Sequence, residues 1–323
     1  MIERRAALAG LLAAAAPTVA RAQAPRALRK IGYLHPTTIA PDHATLVSLR
    51  RAWRELGYVE GETVLLRSAE GDLARLPSLV AELIRLDVGV LIMVGAATVK
   101  AASETTATLP IVAIDLETDP VRAGYAGSIA RPGRNITGLF MDTASLAGKW
   151  IELLREAAPT IDRVALVWDP KASPDQLAIA KAAAHAIGMK AVVVEARLSQ
   201  NYDEVFGELG RAGRTGLVQL TTPGSAPWFS SFATAAIANG LPSITFQKVN
   251  AQAGALMSYG SVNERYFPRA VVLADRILKG TRPGDLPIEH PVEFELVLNL
   301  KTAKALRLAL PGSLLARADE VIE

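Results

Sequence analysis

Apolar and amphipathic stretches alternate along the chain with a regularity that predicts an α/β protein. Lys30–Leu34 is a short apolar run. Ala44–Leu56 then repeats Leu46, Leu49, Trp53 and Leu56 at helical spacing before Gly57, a residue suited to a helix C-cap. Thr63–Ser68 and Pro110–Asp115 read as strands, and Val88–Val94 is so continuously apolar that both of its faces should be buried. Helices are expected over Leu76–Leu86 and from the Gly95–Thr98 turn to about Thr106. This order implies a parallel sheet covered by helices on both sides.

A second series begins after Asn135–Leu139. Strands Arg163–Trp168, Ala191–Ala196, Thr215–Leu220 and Ser243–Phe246 alternate with helices Ser145–Ala157, Pro174–Ile187, Tyr202–Arg211 and Pro227–Asn239. The tail adds strand Ala255–Tyr259, a long helix Arg265–Lys279, strand Glu293–Leu298 and helix Lys301–Leu306. Such isolated units imply that the chain crosses repeatedly between two Rossmann-like lobes with parallel sheets, joined by a multi-strand hinge. The expected crossings lie near Leu139–Asp142, Tyr259–Ser261 and Pro291–Glu293. They divide the chain into an N-terminal lobe, 27–141 plus 261–292, and a C-terminal lobe, 142–260 plus 293–323. A hinge of this kind leaves a cleft that closes on a ligand.

The first residues change the reading of the hydropathy. Met1–Ala22 has the form of a secretory signal: Arg4 and Arg5, an Ala/Leu run over Ala6–Ala16, and small residues around Ala20-Arg21-Ala22 for cleavage near Ala22. The run is shorter than the roughly 20 residues that span a bilayer, so the protein is not expected to be membrane-embedded. Of 323 residues 50% are apolar and 21% charged, and the net charge of +3 drops to +1 without the leader. A nearly neutral chain lacks the electrostatic footprint of a nucleic-acid binder. Without cysteine there is no disulfide, thiolate metal site, cysteine nucleophile or lipid-anchored N-terminus. Export with no such anchor predicts a protein free in the periplasm of a Gram-negative cell.

The chemistry on offer is that of binding. His35, His43, His185 and His290 have no helical i, i+4 histidine partner, which argues against a metal centre, and no nucleophile–base–acid constellation is visible. No catalytic residue, metal or cofactor is expected. In open α/β sheets ligands meet the C-terminal ends of strands. In the first lobe these ends carry Thr37 and Thr38; then Gly95, Ala96, Ala97 and Thr98; then Asp115, Glu117, Thr118 and Asp119. The Gly95–Thr98 turn opens a helix whose free amides suit a carboxylate, or is simply a tight turn capped by Thr98. The three acids suit a cation or ammonium group, or cap a turn in solvent. In the second lobe the ends carry Trp168 and Asp169, Thr221 and Thr222, and Phe246. Trp168 and Phe246 offer either a stacking wall or core packing.

Gly254-Ala255-Leu256-Met257-Ser258-Tyr259-Gly260 resembles the GGLMSYG segment of the tryptophan/tyrosine-type substrate-binding proteins of ABC transporters. So do Ile277–Gly280 with Pro283, Asp285-Leu286-Pro287, Phe294–Leu306, Thr118-Asp119-Pro120-Val121, Ala130–Gly133 with Asn135–Gly138, and Arg317–Ile322. The resemblance implies a periplasmic binding protein of type I fold. It would deliver a small carboxylate-bearing, aromatic or amino-acid-like ligand to a permease and its ATPase, as a monomer. A ligand-sensing subunit of a signalling system would use the same cleft. The ligand would touch Gly95–Thr98 and Thr118-Asp119 on one side and the second-lobe strand ends on the other. Two positions depart from the family pattern: Thr222 precedes Pro223 where an acid is common, and Phe246-Gln247-Lys248-Val249 replaces WREF. A lost carboxylate and a gained lysine point toward an aromatic or other small carboxylate without an amino group as an alternative cargo.

Overall fold

The computed structural model describes residues 29–141, 143–170, 174–196, 202–220 and 229–323, so the leader lies outside the described residues. Two sheets organise the fold. The first holds β1 (Lys30–His35), β2 (Val64–Ser68), β3 (Val88–Val94), β4 (Ile111–Asp115) and β5 (Ile136–Phe140) in the order β2-β1-β3-β4-β5, all parallel. The second holds β6 (Arg163–Trp168), β7 (Lys190–Glu195), β8 (Thr215–Gln219), β9 (Ser243–Thr245), β10 (Met257–Ser261), β11 (Phe294–Asn299) and β12 (Glu320–Ile322). Its order is β12-β11-β10-β9-β8-β6-β7.

The apolar runs do what their pattern predicts. Along β3, Val90, Ile92 and Val94 enter the core on one face, where α1 (Ala44–Glu55) packs, while Leu91 and Met93 face α2 (Leu76–Arg85) and α3 (Ala96–Thr105). Along β6, Val164 and Leu166 pack with α4 (Ala147–Ala157) and α5 (Pro174–Ala186). Ala165 and Val167 turn to the opposite face, beneath α6 (Tyr202–Ala212) and α7 (Phe229–Ala238). Both sheets are therefore covered on both faces, as parallel sheets require.

The tail departs from the expected pattern in four ways. The short helix α8 (Lys248–Gln252) follows β9, and the long predicted helix is divided into α9 (Asn263–Tyr266) and α10 (Pro268–Leu278), with Pro268 opening the second piece. After β11 come α11 (Leu300–Ala305), α12 (Gly312–Leu315) and the edge strand β12. Most consequentially, β11 runs antiparallel to β10, so the second sheet is not wholly parallel. From β10 the chain passes to α10, which packs on the first sheet beside α1, and then along β5 through an isolated Leu139–Glu289 bridge. It re-enters the second sheet where it left, pairing Phe294 with Ser261. A strand that returns through the same end must run in the opposite direction.

Among the described residues no helix is long and apolar enough to cross a membrane. Gly138 in β5 fixes how closely the neighbouring strand approaches: its φ is +140°, and a Cβ there would stand 2.2 Å from the Ala113 carbonyl oxygen. Gly138→Ala should lower unfolding stability by about 2–4 kcal/mol in chemical denaturation, since backbone cannot yield as a side chain can. A second test concerns how α10 is held to the first sheet. The Tyr58 hydroxyl donates to buried Asp275 at 3.1 Å, across 217 residues of sequence, and Lys279 closes the other carboxylate oxygen at 2.8 Å. Tyr58→Phe should cost about 1–2 kcal/mol in the same measurement.

Candidate functional site

The C-terminal ends of β1, β3 and β4 bring three loops to one edge of the first sheet. The loop after β4 also touches the second sheet. Leu116 packs against core clusters of both sheets, the Met141 amide donates to the Asp115 carbonyl at 2.9 Å, and the Thr143 amide to the Leu116 carbonyl at 3.3 Å. The strand-end loops of the two halves therefore meet here, and the charge of Asp169, just beyond β6, reaches Glu117.

The three acids of the β4 loop separate into three roles. Asp119 caps a turn: one carboxylate oxygen accepts from the Val121 and Arg122 amides at 2.9 and 3.0 Å, and the Arg122 guanidinium lies 3.6 Å from the other. Asp115 has no solvent exposure. Its Oδ1 accepts from the Glu117 and Thr118 amides at 3.0 and 3.1 Å, folding the loop back over the strand end, whereas Oδ2 has no partner. Desolvation raises its pKa, partly countered by the Thr118 hydroxyl and the two amides. Glu117 is half-buried and makes no hydrogen bond or ion pair through its carboxylate among the described residues. Desolvation first, then the charges of Asp115 and Asp169, push its pKa up to about 8. The sequence names Glu117 among the acids but does not distinguish it from Asp119. The one usable signal is its place two residues beyond a buried strand-end acid.

The Gly95–Thr98 turn resolves its two readings residue by residue. Gly95 sits at φ +84° and its amide donates to the Ile114 carbonyl at 2.8 Å, joining the ends of β3 and β4. Thr98 is fully buried, and its hydroxyl donates to the Val94 and Gly95 carbonyls at 2.7 and 2.8 Å. That side chain closes the turn from within. The first-turn amides of Ala96 and Ala97 have no acceptor inside their helix, as for any helix start. At the end of β1, the Thr37 amide donates to His35 Nδ1 at 3.1 Å, and Thr38 is exposed. Desolvation holds the His35 pKa down to about 4, so its ring is neutral.

On the second sheet, Trp168 is half-buried with its indole N–H enclosed and unpartnered, and Asp169 is half-buried beside it. Thr221 and Thr222 lie outside the described residues. Phe246 is not a cleft wall in this arrangement. It is 4% exposed and packs edge-on to Trp150 at 6.3 Å, with Gly260 pressed so close that a Cβ there would lie 2.1 Å from the Phe246 carbonyl oxygen. Nor does Lys248 bring a cation to a ligand, since it pairs with Glu320 at 2.5 Å and Glu295 at 3.7 Å. The departures in sequence therefore add no positive charge to the acidic loop. Among the described residues no group of three or more histidine or carboxylate side chains is placed to hold a metal ion.

Comparison with known proteins supports the same reading of the fold. A tyrosine-binding protein of Clostridioides difficile (strain R20291) is 24% identical over 262 residues, covering 79% of this chain and 74% of that protein. A conserved domain protein from Vibrio cholerae superposes with a TM-score of 0.81 at 23% identity, over 91% of this chain and 99% of its own. An ABC domain from Streptococcus pneumonia, solved in complex with L-Trp, superposes at 0.80 with 19% identity, over 91% of this chain and all of its own. These likenesses are to α/β proteins of type I periplasmic binding fold. The model of the family described as ABC transporter substrate binding protein matches residues 43–322, and the chain belongs to that family.

Proposed function

We propose that this protein captures an aromatic amino acid between its two sheets and hands it to an ABC permease and its ATPase. The observation that carries this reading is the acidic β4 loop. Among the described residues, Glu117 and Asp115 present carboxylate oxygens without protein partners, and the strand end that carries the partly exposed Trp168 also carries Asp169, whose charge reaches Glu117. An ammonium group supplies the missing charge, and the indole supplies a face for an aromatic side chain. The open amides of Ala96 and Ala97, at the positive end of α3, suit the α-carboxylate. The neighbouring acids and the internally paired Lys248 favour an amino acid over a carboxylate without an amino group. The tyrosine-binding and L-Trp-bound relatives accord with that class.

The lobes in this reading are 27–141 with 261–292 and 142–260 with 293–323. Three neighbouring crossings support a hinge between them: the end of β5, the β10–Val262 junction and Pro291–Glu293. Export through Met1–Ala22, cleaved near Ala22, places the monomer in the periplasm, where the permease draws its cargo.

A thermal-shift series checks the reading. Tryptophan, tyrosine or phenylalanine should raise Tm, with stabilisation reaching about 2.7 kcal/mol at a hundredfold excess over Kd. Indole-3-propionate and 3-phenylpropionate, which lack the ammonium group, should shift it far less. Stabilisation by those acids with none by the amino acids would sink the assignment.

A further inference from the structure

Among the described acids at the strand ends, Glu117 stands out as half-buried with a carboxylate that makes no hydrogen bond or ion pair. Asp119 is consumed by its turn, and Asp115 spends one oxygen on the loop backbone. The remaining oxygen of Asp115, on a side chain with no solvent exposure, has no partner. Among the described residues, the charged groups that reach Glu117 are Asp115 from β4 and Asp169 from the loop after β6, both acidic. Tyr125 lies within reach of the Asp115 charge and carries none of its own at neutral pH. At the end of β1, on the same sheet edge, the His35 ring is neutral. Asp169 has a further interaction of its own, so the assignment below rests on Glu117 and Asp115.

We propose that Glu117 is the residue that selects for an ammonium-bearing ligand, and that it does so by proton exchange. In the empty cleft Glu117 carries a proton, and the arriving ammonium group displaces that proton to solvent. This inference rests on the amino-acid reading above and adds to it a residue and a mechanism. The Glu117 O–H bond breaks and its proton passes to solvent, the carboxylate left behind pairs with the ammonium group, and the ligand's own carboxylate is met by the amides that open α3. A neutral Glu117 spares the empty protein a further negative charge in the acidic loop. A ligand with only a carboxylate brings no cation to pair with Glu117, so the proton stays and that ion pair is never made. Selectivity against des-amino acids follows from the same step.

The pKa of about 8 fixes the sign of the pH dependence. Below it, binding must release the proton, so tryptophan affinity should climb by about tenfold per pH unit between roughly pH 6 and 7.5, then level off. Calorimetry of wild-type protein with tryptophan, in phosphate and in Tris at pH 7, reads the release directly from the difference in observed heat. About one proton per ligand is expected at pH 7, falling toward zero above about pH 8.5. Glu117→Gln, which mimics the protonated acid, should abolish the buffer dependence and weaken tryptophan binding by about tenfold or more at pH 8. It should leave indole-3-propionate binding unchanged or tighter. Tryptophan binding with equal heats in both buffers would overturn the proton exchange while leaving the amino-acid assignment standing. Absence of binding by any aromatic amino acid would overturn both. The wild-type measurement decides the matter even if the variant folds poorly.

Discussion

One phenol holds together the segments at which the chain leaves the first sheet. The Tyr266 hydroxyl lies 2.6 Å from the Glu289 carbonyl and 3.4 Å from the Phe140 carbonyl, on the two segments that run side by side where the chain leaves the first sheet. His290 Nδ1 meets that same Phe140 carbonyl at 2.8 Å. On the other side the Trp150 indole donates to the Tyr259 carbonyl at 2.8 Å, fixing the third crossing strand to α4. The Trp150 and His290 contacts give the Tyr259 and Phe140 carbonyls a side-chain partner, and a buried carbonyl left without one costs about 1–3 kcal/mol. Together these bonds set the direction of β11, and they bring the loops after β4 and β6 close enough for their charges to interact.

Much of this arrangement is legible from the sequence because burial on two faces leaves a plain mark. A strand such as Val88–Val94 has no polar face to alternate with, so the run itself announces a covered parallel sheet. The crossings are legible for a related reason, since single strand and helix units after two complete series have to belong to both sheets. The direction of β11 is not written in its residues. It depends on where the returning chain enters, and that is set by contacts of Tyr266 and Glu289 more than twenty residues apart. The three-residue edge strand β12 is too short to carry any period.

The binding residues are less legible, because chemistry in a loop depends on which partner each group has already found. Asp119 and Glu117 look equivalent in sequence, yet a carboxylate that caps the following amides differs from one with nothing to accept. Phe246 looks like a cleft aromatic until Gly260 brings a crossing strand against it. Thr98 looks like a ligand donor until its hydroxyl bonds two carbonyls of its own turn. Lys248 suggests an anion site until Glu295 and Glu320, from β11 and β12, neutralise it. In each case the deciding partner lies on an element whose position the local sequence does not encode.

Strongly shifted acids commonly mark catalytic centres, where a carboxyl poised near neutrality moves a proton to or from substrate. Glu117 has that environment but not that company. The neighbouring imidazole of His35 is held neutral, with its Nδ1 accepting from the Thr37 amide, and the hydroxyl of Thr98 is turned inward. Among the described residues, the charges that reach Glu117 are those of Asp115 and Asp169, both acidic. Desolvated carboxylates in such surroundings do not activate a bond; they make the enclosed space unfavourable until a cation enters it. In the proposed reading Glu117 stays neutral until an ammonium group takes the place of its proton, so closure is favoured by a ligand that carries that cation. The physics that tunes an acid for catalysis serves here to make closure conditional on cargo.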